Sequence, residues 1–296
     1  MACGANRSGN CAQEFISRGF KPRVVRRYRC ETSYIVSGMG RSDSLMTDER
    51  FESYFVTLTR DERLWSSEAA LRRYTRWLFQ DVPLQGARVL DIGGGVGVFS
   101  FYAAAAGARE VLCLEPEGQG GSIGMNEQFH RLQRLTGFHN VRLEHAMLQT
   151  FEPTPASFDV VLLHNSVNHL DEAMVPLLHR DGAAGGEDAR DVYRSLFRRV
   201  ADALVPAGHL VLTDCARDNL FPRLGLRHPL LPQIEWNKHQ NPAVWWTLLR
   251  QTRFERRSER WSSFNRLGAL GWMLLANRAG AFFFTGHFRL HALRNS

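Results

Sequence analysis

A glycine-rich run at residues 89–97, VLDIGGGVG, contains the residues of this chain whose types and spacing best suit ligand chemistry. Gly93, Gly95 and Gly97 form G-x-G-x-G, and Asp91 stands just before them. Glycines let the backbone turn sharply and approach a ligand closely, because no Cβ intervenes. A carboxylate beside such a turn repels a pyrophosphate and attracts a cation. The run therefore predicts a nucleotide-type cofactor site for a ligand with positive charge.

A second acid supports this prediction. Glu115 follows Glu110–Leu114, an apolar segment typical of the next strand. An acid at the end of a second strand can accept hydrogen bonds from both hydroxyls of a ribose. The alternative is a strand-terminal acid on the surface, without a ligand.

Two histidines follow the segment predicted as the fourth strand, in the run HNSVNHLDE at residues 164–172. An imidazole near a carboxylate, such as His169 near Asp171, can act as a general base. We predict catalytic roles for His169 and His164, and we predict that Asn165 and Asn168 bind a polar substrate. Packing or orienting roles are the alternative for both histidines. Three candidate ligands are too few to predict a metal site here.

A polar and aromatic group lies further along, in a segment punctuated by prolines. Trp236, Lys238 and His239 stand close together, a composition that suits recognition of a polar, anionic or sugar-like substrate. We predict substrate binding for these three residues. The alternative is a structural corner in which the tryptophans fill the core.

The elements that must position these residues alternate between strands and helices, which is the signature of a parallel sheet covered on both faces. We predict an α/β fold with a Rossmann-like, seven-stranded, mostly parallel sheet, an N-terminal helical cap and C-terminal insertions. The predicted strands are Arg88–Ile92, Glu110–Leu114, Val141–Glu144, Phe158–Leu163, His209–Asp214, Ser258–Ser263 and Ala281–Leu293.

Composition changes along the chain predict its domain organisation. Residues 1–45 are basic and aperiodic, typical of a flexible leader, a transit segment or an over-extended start. Residues 46–86 are predicted as the helical cap, and 87–296 as the catalytic domain. Two insertions are predicted within that domain, an exposed loop at 172–190 and an irregular segment at 216–242.

Four motifs in this order resemble those of class I S-adenosylmethionine-dependent methyltransferases, over roughly Arg88–Asp214. They are the glycine run, Leu112–Pro116, Phe158–Leu163 and LVPAGHLVLTD at Leu204–Asp214. The resemblance implies S-adenosyl-L-methionine as cofactor. It implies cofactor contacts for Asp91, Gly93, Gly94, Gly95, Gly97, Glu115 and His164.

One departure from the family concerns the adenine. Where many members carry an acid that meets the adenine amino group, this chain has Glu144-His145-Ala146-Met147. The resemblance then implies that His145 or the Ala146 backbone contacts the adenine amino group instead, and that Met147 packs against the adenine face. Runs at 164–172, 214–221 and 234–245 resemble a bacterial subgroup to which we assign no substrate.

The implied reaction is transfer of a methyl group to an oxygen or nitrogen of a small polar molecule, with a histidine as general base. An RNA or protein methyltransferase is one alternative, but the tetrapeptide typical of base-amine methylation is absent after the fourth strand. A nicotinamide-dependent oxidoreductase is disfavoured by Asp91 and by the missing G-x-x-G spacing. A cofactor-binding protein without transfer activity is the non-enzyme alternative.

Charge and cysteine usage set limits on partners and location. The net charge is +7, but nearly all basic residues are arginine, a bias that gives weak support for a nucleic-acid partner, and we expect none. The five cysteines include no C-x-x-C pair, which fits a reducing compartment, and we expect a cytoplasmic protein. Leu267–Phe284 is predicted as a buried helix leading into a strand, not a membrane span. The oligomeric state stays open.

Overall fold

A computed structural model describes most of the chain and gives the backbone alone for residues 41–48. The described ranges are 41–116, 124–179, 185–229, 231–232, 234–263, 268–284 and 287–296. Most of the predicted leader lies outside these ranges. Its last residues do not, because the first described helix begins at Arg41, before the predicted start of the cap at residue 46.

Seven strands form one sheet in the order β3-β2-β1-β4-β5-β7-β6. β7 runs antiparallel between β5 and β6, and the pairs from β3 to β5 are parallel. The predicted fold class is confirmed. The strands are β1 Arg88–Ile92, β2 Glu110–Leu114, β3 Val141–Glu144, β4 Phe158–His164, β5 Leu204–Cys215, β6 Phe254–Trp261 and β7 His287–Arg294.

Strand order also locates the crevice. The chain steps outward from β1 to β3 on one side, and from β4 to β5 on the other. At such a switch point the connections diverge, and a crevice opens beyond the carboxyl ends of the strands. The glycine run follows β1, and the histidine-containing run follows β4. Both therefore meet at this crevice.

Helices cover both faces of the sheet, which has two apolar layers. One layer includes Leu90, Leu163 and Trp245, and the other includes Leu71 and Phe101. Among the described residues the helices are α1 Arg41–Val56, α2 Glu68–Leu78, α3 Val98–Ala105, α4 Met125–Thr136, α5 Gly186–Ala203, α6 Leu220–Arg223, α7 Pro242–Arg250, α8 Gly268–Leu275 and α9 Arg278–Phe283.

The N-terminal cap shares its core with the sheet. α2 begins after Ser67, whose side chain accepts a hydrogen bond from the Ala70 amide and so caps the helix. Leu71, Tyr74 and Leu78 recur at helical spacing and are buried. This face contacts the layer that also covers β1 and β4, so α2 is positioned directly beside the crevice.

The predicted exposed loop at 172–190 is wrong in part. Val175 and Leu178 are fully buried, because their three-residue spacing places both on the inner side of a 3-10 turn. α5 then begins at Gly186, inside the predicted loop, and Ala189 is already buried.

Within Leu267–Phe284 the predicted helix is present, but its predicted burial and the strand predicted to follow it are wrong. Two short helices, α8 and α9, occupy this region, and Leu270, Met273 and Leu274 of α8 are more than half exposed. The Asn277 side chain accepts from the Gly280 amide and starts α9, so β7 begins only at His287. No helix in the described part of the chain is long and apolar enough to cross a membrane.

Candidate functional site

The backbone amides of the glycine turn donate hydrogen bonds to acceptors within the protein. The Gly93 amide donates to the Leu114 carbonyl at 2.8 Å, and the Gly95 amide donates to Oε2 of Glu115 at 2.8 Å. The Gly97 amide donates to the Gly94 carbonyl at 2.9 Å. A dinucleotide-binding turn presents such amides to a pyrophosphate. Here they are engaged within the protein, and two acids flank them.

Steric space explains the glycines. Gly93 has a φ of +68°, and a Cβ there would lie 2.6 Å from Cβ of Ser166, which follows β4. At Gly94 a Cβ would lie 2.6 Å from Sγ of Cys113 and 2.7 Å from Oδ2 of Asp91. Such distances are far below van der Waals contact. The turn is therefore held closely between β2 and the chain after β4.

Asp91 lies behind the turn, not in the crevice. Its side chain is 1% exposed, and the Ser100 hydroxyl donates to Oδ2 at 2.6 Å. Burial raises the pKa of Asp91 to about 7, against the hydrogen bond from Ser100 and with help from the charge of Glu115. The carboxyl group supports the turn. Its predicted role at the cofactor stays a prediction, and its burial favours an indirect one.

Glu115 stands at the carboxyl end of β2, beside the turn. It is buried, and one of its carboxylate oxygens holds the Gly95 amide. Neither Glu115 nor Asp91 forms an ion pair within the described part of the chain. Two neighbouring carboxyl groups, Asp91 behind the turn and Glu115 beside it, therefore have no paired cation among the described residues.

The predicted adenine contacts follow β3, at the same edge. His145 is exposed, and its Nδ1 lies 3.1 Å from Nδ2 of Asn126 in α4. Ala146 and Met147 are half-buried, and the Ala146 amide donates to the Glu144 carbonyl. A ligand lying along the carboxyl ends of β1, β2 and β3 would reach these residues last.

His164 ends β4 and contacts the cap. Its Nε2 lies 2.8 Å from the Tyr74 hydroxyl, and its ring centroid is 4.2 Å from that of Phe99. Burial, with the nearby His287, holds the pKa of His164 well below its ordinary value, and burial raises the pKa of the Tyr74 phenol. The phenol therefore donates to a neutral imidazole. Its Nε2 lone pair is engaged, which argues against the predicted base role.

Asn165 connects three strands. Its Oδ1 accepts from the Thr213 hydroxyl at 3.0 Å and from Nε2 of His287 at 2.8 Å. The amide oxygen predicted to bind substrate is therefore engaged by β5 and β7. Asn168 is 3% exposed, and its Nδ2 lies 3.3 Å from Nε2 of His169. Oδ1 of Asn168 has no hydrogen-bond partner among the residues that the structure describes.

His169 lies at the rim with a different carboxylate from the one predicted. Its Nδ1 is 2.8 Å from Oε1 of Glu172, and its side chain is 41% exposed. The predicted partner, Asp171, instead accepts from the amides of Ala173 and Met174. Sequence proximity pointed to Asp171, but its side chain closes a local turn.

The residues of the segment 234–242 separate into a rim and an interior. Lys238 lies at the rim, with Nζ 3.1 Å from Glu172 and 2.8 Å from Glu235. Trp236 is half-buried and faces His228 at 6.0 Å between ring centroids. His239 is buried, so the structure does not bring the three predicted substrate residues to one surface.

Sequence reasoning missed the partner of His239. Its Nδ1 lies 2.7 Å from Oδ1 of Asp214, the penultimate residue of β5. The signal was available, because Asp214 ends the LVPAGHLVLTD motif at the carboxyl edge. Tyr74 and His287 also line this region, but their neighbours in sequence carry no such signal.

Two further observations bound the site. A groove lined by Arg50, Gly107 and Phe138 lies at the amino ends of β2 and β3, the opposite edge from the crevice. Among the residues that the structure describes, no three histidine, cysteine or acidic side chains group as metal ligands.

The fold and the acid-flanked turn define a class I methyltransferase. The sequence profile of a methyltransferase domain matches residues 64–280, and the chain belongs to that family. The protein is an S-adenosylmethionine-dependent methyltransferase, and S-adenosylmethionine is its cofactor. The predicted family, enzyme class and cofactor are confirmed. No curated protein matches the sequence.

Solved structures with this fold are distant in sequence. An S-adenosylmethionine-dependent methyltransferase from Mesorhizobium loti is 18% identical, with a TM-score of 0.51 over 76% of this chain and 98% of that one. PH0226 from Pyrococcus horikoshii is 17% identical, with a TM-score of 0.52 over 82% and 96%. The [4+2]-cyclase SpnF is 17% identical, with a TM-score of 0.50 over 78% and 82%. These likenesses show the fold alone.

The crevice fits the cofactor. Glu115 can hold the ribose hydroxyls, and the residues after β3 lie where an adenine would extend. The buried pair Asp91 and Glu115 suits a ligand that carries positive charge.

Proposed function

We propose that this enzyme methylates an oxygen or nitrogen of a small polar molecule, bound beyond the carboxyl ends of β4 and β5. The observation that carries the donor side is the pair of acids, Asp91 and Glu115, beside a turn whose amides are already engaged. A cationic sulfonium and ammonium suit this charge, whereas a pyrophosphate does not.

The acceptor side supports a small molecule. Tyr74 and Trp77 of α2 close one side of the region, and the segment 234–242 closes another. Lys238, the lysine of this segment, is already paired with Glu172 and Glu235, so its charge is not available to a phosphate. An RNA would need such charge for its phosphates. The enclosure favours a compact acceptor.

The bound cofactor supplies an already activated methyl group. The chain's own tasks are then to orient the acceptor in line with that methyl group, to exclude water and, for a protonated acceptor, to remove a proton. The glycine turn and Glu115 hold the donor. Two hydrogen bonds, from Tyr74 to His164 and from His287 to Asn165, keep the acceptor region in a fixed shape.

A histidine base is part of this proposal. His169 keeps the geometry of a base oriented by Glu172, but at the exposed rim. His164 has its Nε2 engaged by Tyr74. The buried His239 is the third candidate.

Calorimetry with S-adenosylhomocysteine and with NAD⁺ tests the donor site. We expect the wild-type protein to bind the first and not the second. Glu115→Gln should weaken S-adenosylhomocysteine binding by about 10- to 100-fold, because hydrogen bonds to a charged group contribute about 1.5–3 kcal/mol each. Glu110→Gln is the control, since Glu110 starts the same strand and pairs with Arg142 at the opposite edge. Equal affinities of the two variants would exclude Glu115 from the site.

Methyl transfer from tritiated cofactor tests the acceptor class. The enzyme is incubated with a cell extract, the residual cofactor is removed by chromatography, and the remaining acid-soluble and acid-precipitable tritium are counted separately. We expect the counts to be acid-soluble. Precipitable counts that a nuclease or a protease releases would show an RNA or protein acceptor instead.

A further inference from the structure

The side chains of His239 and Asp214 form a buried pair at the carboxyl end of β5. Nδ1 of His239 lies 2.7 Å from Oδ1 of Asp214, and the two residues are 6% and 1% exposed. A carboxylate only accepts hydrogen bonds, so Nδ1 carries the proton. The imidazole then presents Nε2 with a free lone pair, which is the tautomer that a general base requires.

The surroundings of the pair fix its geometry. Nε1 of Trp245 donates to the second carboxylate oxygen at 3.2 Å, and the Cys215 amide donates to Oδ1 at 2.7 Å. The neighbour of His239 in sequence, Gln240, is fully buried, and its Nε2 donates to the Val175 carbonyl at 2.6 Å. Both partners are thus held by groups outside the pair. This rigidity is what a positioned catalytic group needs.

Nε2 of His239 forms no hydrogen bond within the described part of the chain. The imidazole lies near His287, whose ring stacks on Tyr74 at 6.0 Å and whose Nε2 donates to Asn165. These residues mark the carboxyl ends of β4 and β5, where the acceptor region lies. The available lone pair therefore belongs to the acceptor side of the crevice.

An aromatic wall continues from His239. The ring centroids of Trp236 and His239 are 6.4 Å apart, those of His228 and Trp236 are 6.0 Å apart, and those of Phe221 and His228 are 4.5 Å apart. Leu231 and Ile234 pack against Trp236. These rings meet one another edge-on or tilted, and an aromatic lining of this kind favours a planar aromatic ligand.

The geometry points to His239 as the general base for an aromatic acceptor with a phenolic hydroxyl, with Asp214 as its positioning residue. This inference rests on the proposed function. Nε2 of His239 takes the phenolic proton while the phenolic oxygen bonds to the methyl carbon. The carbon–sulfur bond breaks with its electron pair on sulfur, which gives S-adenosylhomocysteine. The proton then passes from His239 to solvent.

A first test uses the full chain without ligand. Long-range ¹H–¹⁵N NMR of ¹⁵N-histidine protein reports the tautomer of each ring, and His239→Gln identifies the signal of His239. We expect protonated Nδ1 and unprotonated Nε2. Protonation at Nε2 in the neutral ring would overturn the inference. Trp245→Phe removes one of the donors to Asp214 and should keep this tautomer while broadening the signal of His239. This variant tests the pair even where the direct substitution Asp214→Asn fails to fold.

A second test, run at about pH 8.5, compares transfer to 4-methoxyphenol, which is still largely protonated there, with transfer to 4-nitrophenol, which is largely ionised. His239→Gln should lose about 10²- to 10⁴-fold in kcat with the first, the usual contribution of a general base. It should lose under about tenfold with the second, since an ionised acceptor needs no base. The affinity of His239→Gln for S-adenosylhomocysteine should stay within about twofold of the wild type, because His239 lies on the acceptor side of the crevice.

His139→Gln, in the groove at the opposite edge of the sheet, is the control and should retain its kcat with both phenols. Equal losses for His239→Gln with the two phenols would give His239 a structural role and overturn the inference. Wild-type activity on neither phenol would overturn the phenolic class, and loss of S-adenosylhomocysteine binding by the wild type would instead overturn the proposed function.

Discussion

The two halves of the crevice are assembled in different ways. In the donor half, Gly95 and Glu115 meet across 20 residues of chain, within consecutive strand–helix units. In the acceptor half, Tyr74 meets His164 across 90 residues, and Asn165 meets His287 across 122. Donor contacts thus follow from local spacing, whereas acceptor contacts exist only once α2, β4 and β7 have come together.

Gly93 is where the halves touch, so it offers the largest test of the comparison. A Cβ at Gly93 would overlap Ser166, whose hydroxyl donates to the Ile92 carbonyl at 2.6 Å. Gly93→Ala should lower the free energy of unfolding by about 3 kcal/mol or more, from the left-handed backbone and the overlap together. Urea denaturation measures this loss, and S-adenosylhomocysteine affinity should fall with it.

Gly86→Ala separates the two causes. Gly86 has a φ of +72°, close to that of Gly93, but a Cβ there meets nothing within 4 Å. Its cost should stay near about 1–2 kcal/mol, the cost of the left-handed backbone alone. Similar losses for the two variants would mean that the halves are not coupled through Gly93.

The same contrast explains what the sequence could predict. β1, β2 and β3 have the predicted bounds because each is a short apolar run between turn residues. β5 begins at Leu204, five residues before its prediction, because Pro206-Ala207-Gly208 suggested a turn where the strand continues. Ala207 adopts a φ of +59° there, so it locally does what glycine usually does.

The site was predictable to a similar extent. Asp91 and Glu115 lie beside the turn as expected, because strand ends follow from the periodicity. The burial of these acids could not be predicted from the sequence, since it depends on contacts with Ser100 and Cys113 from other elements. The base assignment to His169 relied on the nearest acid in sequence, whereas the buried imidazole–carboxylate pair joins residues 25 positions apart.

The second test concerns the donor half alone and uses pH. Burial raises the pKa of Asp91 to about 7, so this carboxyl is protonated in weak acid and ionised in weak base. The ammonium group of S-adenosylhomocysteine favours the ionised form of Asp91, so affinity for this ligand should rise from pH 5 to about 8, by up to tenfold overall. Asp91→Asn should flatten this profile in calorimetry. A wild-type profile that is already flat would show that the ligand does not sense Asp91.

Stability without ligand should change in the opposite direction. A carboxyl whose folded pKa is raised stabilises the fold fully below its unfolded pKa, and this contribution is lost as the pH rises through about 7. Relative to Asp91→Asn, the wild type should therefore become less stable between about pH 4 and 7. Thermal unfolding of both proteins across this range measures the difference.

The smallest and sharpest test makes one chemical change in each half. Tyr54 donates to the carbonyl of Val98, which begins α3 after the glycine turn, at 3.1 Å, and Tyr74 donates to His164 at 2.8 Å. Replacing either tyrosine with phenylalanine removes one buried hydrogen bond and should cost about 1–2 kcal/mol of unfolding free energy. If the two variants lose equal unfolding free energy, any difference in their function is not due to stability.

Their functional effects should then separate. Tyr54→Phe loosens the start of α3, so we expect a two- to fivefold weaker S-adenosylhomocysteine affinity, from about 0.4–1 kcal/mol, with an unchanged kcat. Tyr74→Phe frees His164 beside the acceptor, so kcat should fall while S-adenosylhomocysteine affinity holds. If both variants changed affinity and kcat together, the crevice would act as one unit. The distinction between a local donor half and a long-range acceptor half would then describe only how the site is encoded, not how it works.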